Sequence, residues 1–183
     1  MILAIVARTN GAPNGSSHDK LSDGRSYKVL TVLDEYTRQA LAVEVRTRMG
    51  SEDVLEVLYG LFLRHGKPEF VRSDNGPEFA SEATQGWLEK VGVKPIRIYP
   101  GSPWENGYNE RFDGTLRREV LNVEWFTTTR QAQIVNNCWL KQYNHTRPHQ
   151  ALGMRPPVPE TLSRSGPSKW GWTDSRWSTD DFI

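Results

Sequence analysis

The sequence predicts an α/β fold in which a mixed β-sheet is flanked by helices. Three observations carry this. Strand-like segments at 28–33 and 40–45 lie close enough to form a hairpin. Helix and strand patterns then alternate from residue 51 to residue 99. Two more helical patterns follow, over 105–121 and 129–143. A hairpin followed by β-α alternation gives a sheet with antiparallel and parallel pairs, covered by helices.

Each element has a local reason. Met1 to Ala7 is apolar, but Arg8 ends the run after seven residues. It is too short to span a membrane and lacks the basic leader of a signal peptide. Residues 8–26, rich in Gly, Ser, Asn and Asp, read as loop or disorder. Val29, Leu30, Val32 and Leu33 form a buried-strand run. Leu41, Val43 and Val45 alternate, and Glu35 to Arg38 makes the turn between the two strands. A helix starts at Ser51, carries Val54, Leu55, Leu58, Leu61 and Phe62 as its stripe, and stops at Gly66. Phe70-Val71 is a brief strand running into Ser73-Asp74-Asn75-Gly76. A helix over 81–91 and a strand over 95–99 follow, the latter with Ile96 and Ile98 in alternation. The helix from Glu105 is marked by Tyr108, Phe112, Leu116 and Val120, and the next by Ile134, Val135, Trp139 and Tyr143. The tail from Glu160 shows no usable period. The expected division is an atypical, disordered segment 1–18, a core 19–159 and a tail 160–183.

The bulk numbers set outer limits. With 183 residues, 37% hydrophobic and 25% charged, the chain is a globular domain and not a disordered one. The single Cys138 excludes an internal disulfide framework and favours a reducing compartment. The net charge of +1 hides an asymmetry: Lys94 to Arg155 holds nine Lys/Arg against five Asp/Glu. That excess suits either a phosphate-contacting surface or a solvated helical face. Zinc-like Cys/His spacing, a Walker loop and a Ser-His-Asp set are all missing.

Two carboxylates stand out. Asp74 follows a strand and precedes the sharp Asn75-Gly76 turn, where sheet proteins present catalytic groups. Glu110 lies on the helix from Glu105, away from Phe112 and beside Gly114 and Arg117. Gly in mid-helix costs about 1 kcal/mol against Ala, so Gly114 suggests room for something to approach. Alone, each has an ordinary alternative, a turn aspartate and a surface glutamate. Thirty-five residues separate them.

Several long motifs, in order, make a specific match: Asp34-Glu35-Tyr36-Thr37-Arg38, Ser73 to Phe79, Pro100 to Glu110, Arg117-Arg118-Glu119 and Tyr143 to Gly153. On these the chain, over about 19–159, resembles transposases of bacterial insertion sequences that share the retroviral-integrase core. The resemblance implies an RNase H-like fold and a polynucleotidyl transferase with an Asp-Asp-Glu triad, whose last two members fall on Asp74 and Glu110. It implies a two-metal Mg²⁺ (or Mn²⁺) site, since in-line displacement at a phosphodiester is assisted by two ions on oxygen ligands. It implies transposon-end and target DNA as partners, contacted by Arg111, Arg117, Arg118 and Arg147. For Arg147, DNA contact and helix capping both stand open. It further implies a homo-oligomer in a transposition complex, in the bacterial cytoplasm at the nucleoid, with no membrane role.

The first carboxylate departs from the pattern. The family places it in a Trp-x-x-Asp-Phe-like strand, four residues before the position of Asp19. That register falls on Gly15, with no Trp, no Asp and no strand pattern, while Asp34 matches a structural motif. The expectations are a missing or degraded first strand, roughly 18 residues from a mis-started or shifted frame on a truncated transposase, and impaired catalysis. Two alternatives remain: a non-catalytic DNA-binding or multimer-interfering remnant, and an RNase H-type nuclease.

Overall fold

The computed structural model describes residues 20–74, 76–97 and 107–158, together with the backbone of residues 2–8. A five-stranded sheet runs in the order β3-β2-β1-β4-β5. Its strands are β1 (Ile2–Arg8), β2 (Lys28–Asp34), β3 (Ala40–Arg46), β4 (Phe70–Ser73) and β5 (Lys94–Arg97). β1 pairs antiparallel with β2 and parallel with β4; β2–β3 is antiparallel and β4–β5 parallel.

Helices cover both faces, and β2 shows why. Its odd residues Val29 and Leu33 point to one face and its even residues Leu30 and Val32 to the other. The first face meets Phe112 and Leu116 of α4 (Gly107–Leu116) and Trp139 and Tyr143 of α5 (Thr129–His145). The second meets Val54, Leu58 and Leu61 of α1 (Ser51–His65), Phe79 of α2 (Pro77–Ala80) and Leu88 of α3 (Glu82–Lys90). A strand buried on both faces reads as a continuous apolar run, as β2 does.

The expected missing first strand is corrected by β1. Ile2–Arg8, within the segment expected to be disordered, takes the central place in the sheet. The physical reason is composition: Ile-Leu-Ala-Ile-Val-Ala is a β-branched apolar run suited to a central strand. Gly15, Asp19 and the tail from Glu160 lie outside the described residues. The helix expected over 105–121 is an α-helix from Gly107 that widens into a π turn over Arg117–Leu121. Trp104, Glu105 and Ile98 also lie outside the described residues.

Tertiary hydrogen bonds fix the helices on the sheet. Buried Asn144 on α5 clamps the start of β3, accepting from Ala40 N–H (2.9 Å) and donating to Ala40 C=O (2.7 Å). Asp34 is the structural turn residue it was expected to be: its carboxylate accepts from Tyr36 N–H at 2.9 Å and Thr37 N–H at 3.4 Å.

Candidate metal and nucleic-acid site

β4 delivers Asp74 to the end of the sheet. Its carboxylate accepts from Gly76 N–H at 3.0 Å, a local turn bond of the kind Asp makes readily. Pro77 then opens α2 at the position where its fixed φ and missing N–H cost nothing. This short helix turns Glu78 and Phe79 inward. The Glu78 carbonyl accepts from Thr84 Oγ1 at 2.8 Å and from Ser81 Oγ at 3.2 Å, which holds that residue in place.

Glu78 is only 4% exposed, and among the described residues neither of its carboxylate oxygens has a hydrogen-bond partner. Burying an uncompensated carboxylate costs on the order of several kcal/mol, so this group stands out from a satisfied interior. Gly76 explains where it points. At φ −56° any residue would fit there, so conformation does not demand glycine. Space does: a Cβ at Gly76 would lie 3.0 Å from Asp74 Oδ1, 3.2 Å from Glu78 Cδ and 3.3 Å from Glu78 Oε2. Two carboxylate oxygens 3.0 and 3.3 Å from one point are within about 6.3 Å of each other.

α4 presents two different faces. Glu110 is exposed in its first turn, and a Cβ at Gly114 would meet nothing within 4 Å, so the space beside Glu110 is open. The inner face carries Asn109 (1% exposed) and, one turn on, Asp113. Thr31 of β2 donates to Asp113 Oδ1 at 3.2 Å. Among the described residues neither side-chain amide atom of Asn109 has a hydrogen-bond partner. A single π turn inside a helix is often found at functional sites, and here it follows α4 directly.

The register shows which β1 residue lies beside Asp74. Thr31 is opposite Val6 on β1, and Ala4 is opposite Arg72 on β4. Two residues further along that parallel pair, Val6 stands abreast of Asp74. The β1 position between Thr31 and Asp74 is therefore a valine, and β1 holds neither Asp nor Glu. Among the described residues no three His, Cys, Asp or Glu side chains gather as a metal site. The side chain that shares the Gly76 turn with Asp74 is Glu78; Glu110 is exposed in the first turn of α4.

The four predicted DNA-contacting arginines divide. Arg111 is exposed and lines a cleft of about 350 Å³ with Arg38, Tyr108 and His149. Arg118 is exposed, with one weak bond to Thr115 Oγ1 at 3.4 Å, and Arg117 is half-buried. Arg147 instead forks onto Glu119, at 2.7 and 2.5 Å, and Trp139 Nε1 donates to the same carboxylate at 2.8 Å. Those bonds, the Arg147 fork foremost, hold the Glu119 carboxyl below its ordinary range. Tyr108 belongs to the core side of the cleft: its hydroxyl donates to Arg38 C=O at 2.7 Å, and burial pushes its ionisation far above the phenol range.

Two family models, both described as integrase core domain, match residues 16–103 and 91–157. The chain belongs to the integrase-core family. Its relatives include a 39.2 kDa protein of insertion element IS476 from Xanthomonas euvesicatoria, 40% identical over 76% of this chain and 40% of that one. A 31.7 kDa protein of insertion element IS407 from Burkholderia multivorans is 40% identical over 76% of this chain and 50% of its own length. The chain thus spans half or less of these relatives. Among solved structures, the magnesium-bound catalytic core of HTLV-2 integrase matches at TM-score 0.59 and 17% identity, over 84% of this chain and 91% of that one. The BIV integrase catalytic core matches at TM-score 0.60 and 16% identity, over 85% and 90%. These structures carry the RNase H-like fold that the motifs implied.

Three residues of this integrase core escaped the sequence reading. Glu78 stands inside the quoted Ser73–Phe79 motif, but nothing local says that its carboxylate is buried. Asn109 and Asp113 flank Glu110, and their four-residue spacing could have marked a polar inner stripe on a helix otherwise read as apolar inward.

Proposed function

We propose that the chain is the core of an insertion-sequence transposase that binds transposon-end and target DNA but transfers strands poorly or not at all. Asp74 and Glu110 are its remaining metal-binding carboxylates, for Mg²⁺ or Mn²⁺. The oxygen-only donors at the end of β4 suit such hard cations. When bound, the ions activate the attacking oxygen and stabilise the leaving one in an in-line displacement. Arg111, Arg117 and Arg118 engage phosphates beside Glu110, and Arg147 braces the helices through Glu119. The observation that carries the impairment is the register: Val6 stands where β1 would place a carboxylate abreast of Asp74.

The bacterial insertion-element relatives support action in the bacterial cytoplasm at the nucleoid. The trimeric and dimeric forms of the HTLV-2 core support assembly as a homo-oligomer. No helix among the described residues is long and apolar enough to cross a membrane.

The test is a joining assay with purified chain, Mg²⁺ or Mn²⁺, and a cognate transposon-end duplex. The expected outcome is salt-dependent binding of the duplex without joined product. Robust joining overturns the impairment, and loss of DNA binding overturns the reading as a whole.

The second reading is a non-catalytic partner that enters multimers of intact transposase. It is favoured by the same combination, a completed sheet with no carboxylate on β1. Dose-dependent inhibition of an active relative by this chain supports it. Metal-dependent cutting of an RNA–DNA hybrid would favour the nuclease alternative instead.

A further inference from the structure

We infer that Glu78 is a divalent-cation ligand, sharing the ion with Asp74. This rests on the proposal that Asp74 holds a metal, and extends it to a residue outside the Asp-Asp-Glu pattern. Three observations meet here. The Glu78 carboxylate is buried, and both of its oxygens lack partners among the described residues. Buried carboxylates are ordinarily paired or coordinate a metal. Asp74 Oδ1 and Glu78 Oε2 converge on the bare Cα of Gly76, where a methyl group would crowd both. The Glu78 backbone is tied down by Ser81 and Thr84, so its side chain is directed by a rigid turn and not by chance.

The chemistry fits a small hard cation. Mg²⁺ and Mn²⁺ take oxygen ligands, and Mg²⁺ commonly uses one or two carboxylates while keeping several waters. Two carboxylates within about 6.3 Å can close on one ion by small side-chain rotations. With β1 contributing none, Glu78 gives Asp74 a partner inside the same turn. Glu110, exposed on α4, is not needed for this first ion.

The test is Mn²⁺ titration of the full chain, read by the loss of the free Mn²⁺ electron paramagnetic resonance signal, for wild type, Asp74→Asn, Glu78→Gln and Gly76→Ala. Glu78→Gln and Asp74→Asn are each expected to weaken Mn²⁺ binding at least tenfold. Gly76→Ala, whose backbone angles suit alanine, is expected to weaken it by pushing the carboxylates apart. Without metal, Glu78→Gln should melt no lower than wild type, because it removes a buried carboxylate that has no partner among the described residues. Wild-type affinity in Glu78→Gln, with binding lost in Asp74→Asn, overturns the Glu78 assignment and leaves Asp74 as a metal ligand. Absence of saturable Mn²⁺ binding by wild type overturns both. A Glu78→Gln chain that unfolds or melts lower without metal also overturns the assignment, since the carboxylate would then serve the fold.

Discussion

Asn144 and Asn109 are both buried, at 6% and 1% exposure, yet they do opposite things. Asn144 satisfies both the N–H and the C=O of Ala40 at the start of β3. Asn109 satisfies nothing among the described residues. The same contrast separates two glutamates. The Glu119 carboxylate accepts three bonds from Arg147 and Trp139, whereas the Glu78 carboxylate accepts none among the described residues. At the corner of α4 and α5 polar groups are matched and serve the fold. In the turn after Asp74 the Glu78 carboxylate, and on the inner face of α4 the Asn109 amide, are retained unmatched among the described residues. An unmatched buried polar group destabilises a protein, so its presence points to a partner other than the folded chain itself.

The asparagines break or sharpen this contrast most strongly. Asn144→Ala leaves a buried N–H and a buried C=O unpaired, a cost of about 3 kcal/mol. Asn109→Leu keeps similar volume and removes groups that bond to nothing among the described residues, so stability should change by less than about 1 kcal/mol. Urea denaturation of both variants decides it. Equal losses at the two sites would mean that Asn109 is as structural as Asn144.

The glutamate half of the comparison has a pH signature. Hydrogen bonds from Arg147 lower the folded-state pKa of Glu119. A depressed carboxylate pKa contributes stability above the unfolded value, about 4.3, and that contribution is lost as pH falls through the folded value. Arg147 and Glu119 are more than a third exposed, so solvent screening limits the pair to roughly 1 kcal/mol. Glu119→Gln should therefore be less stable than wild type at pH 7 by about that amount, with the gap closing as pH falls through the lowered Glu119 value. A gap that persists in acid would assign the effect to packing on Trp139 rather than to charge.

The sequence revealed what rests on period and on local motif. The alternation in Ala40–Arg46 and the stripe from Val54 to Leu61 mark their faces directly. Asp74 and Glu110 stand out because each sits in a contiguous motif. What escaped depends on contacts between distant segments. Arg147 and Glu119 are 28 residues apart, and no local pattern distinguishes a bracing arginine from a phosphate-binding one. β1 is hidden for another reason: seven apolar residues are too few for a membrane span, yet a central strand needs no more than that.

The arginines offer the finest division of the comparison. If matched groups serve the fold and unmatched ones serve ligands, Arg111 and Arg147 must differ in kind although both line the same cleft. Arg111→Ala removes an exposed cation beside Glu110. It should weaken duplex DNA binding uniformly across sequences and reduce the slope of log K against log salt by about 1. Arg147→Ala removes a fork already filled by Glu119, so it should lower the melting temperature and leave the salt slope unchanged. Fluorescence anisotropy at several salt concentrations, beside thermal melts, separates the two. A slope change in Arg147→Ala equal to that in Arg111→Ala would show that the Glu119 pair opens to phosphate, and that pairing inside the protein does not exclude a residue from the DNA surface.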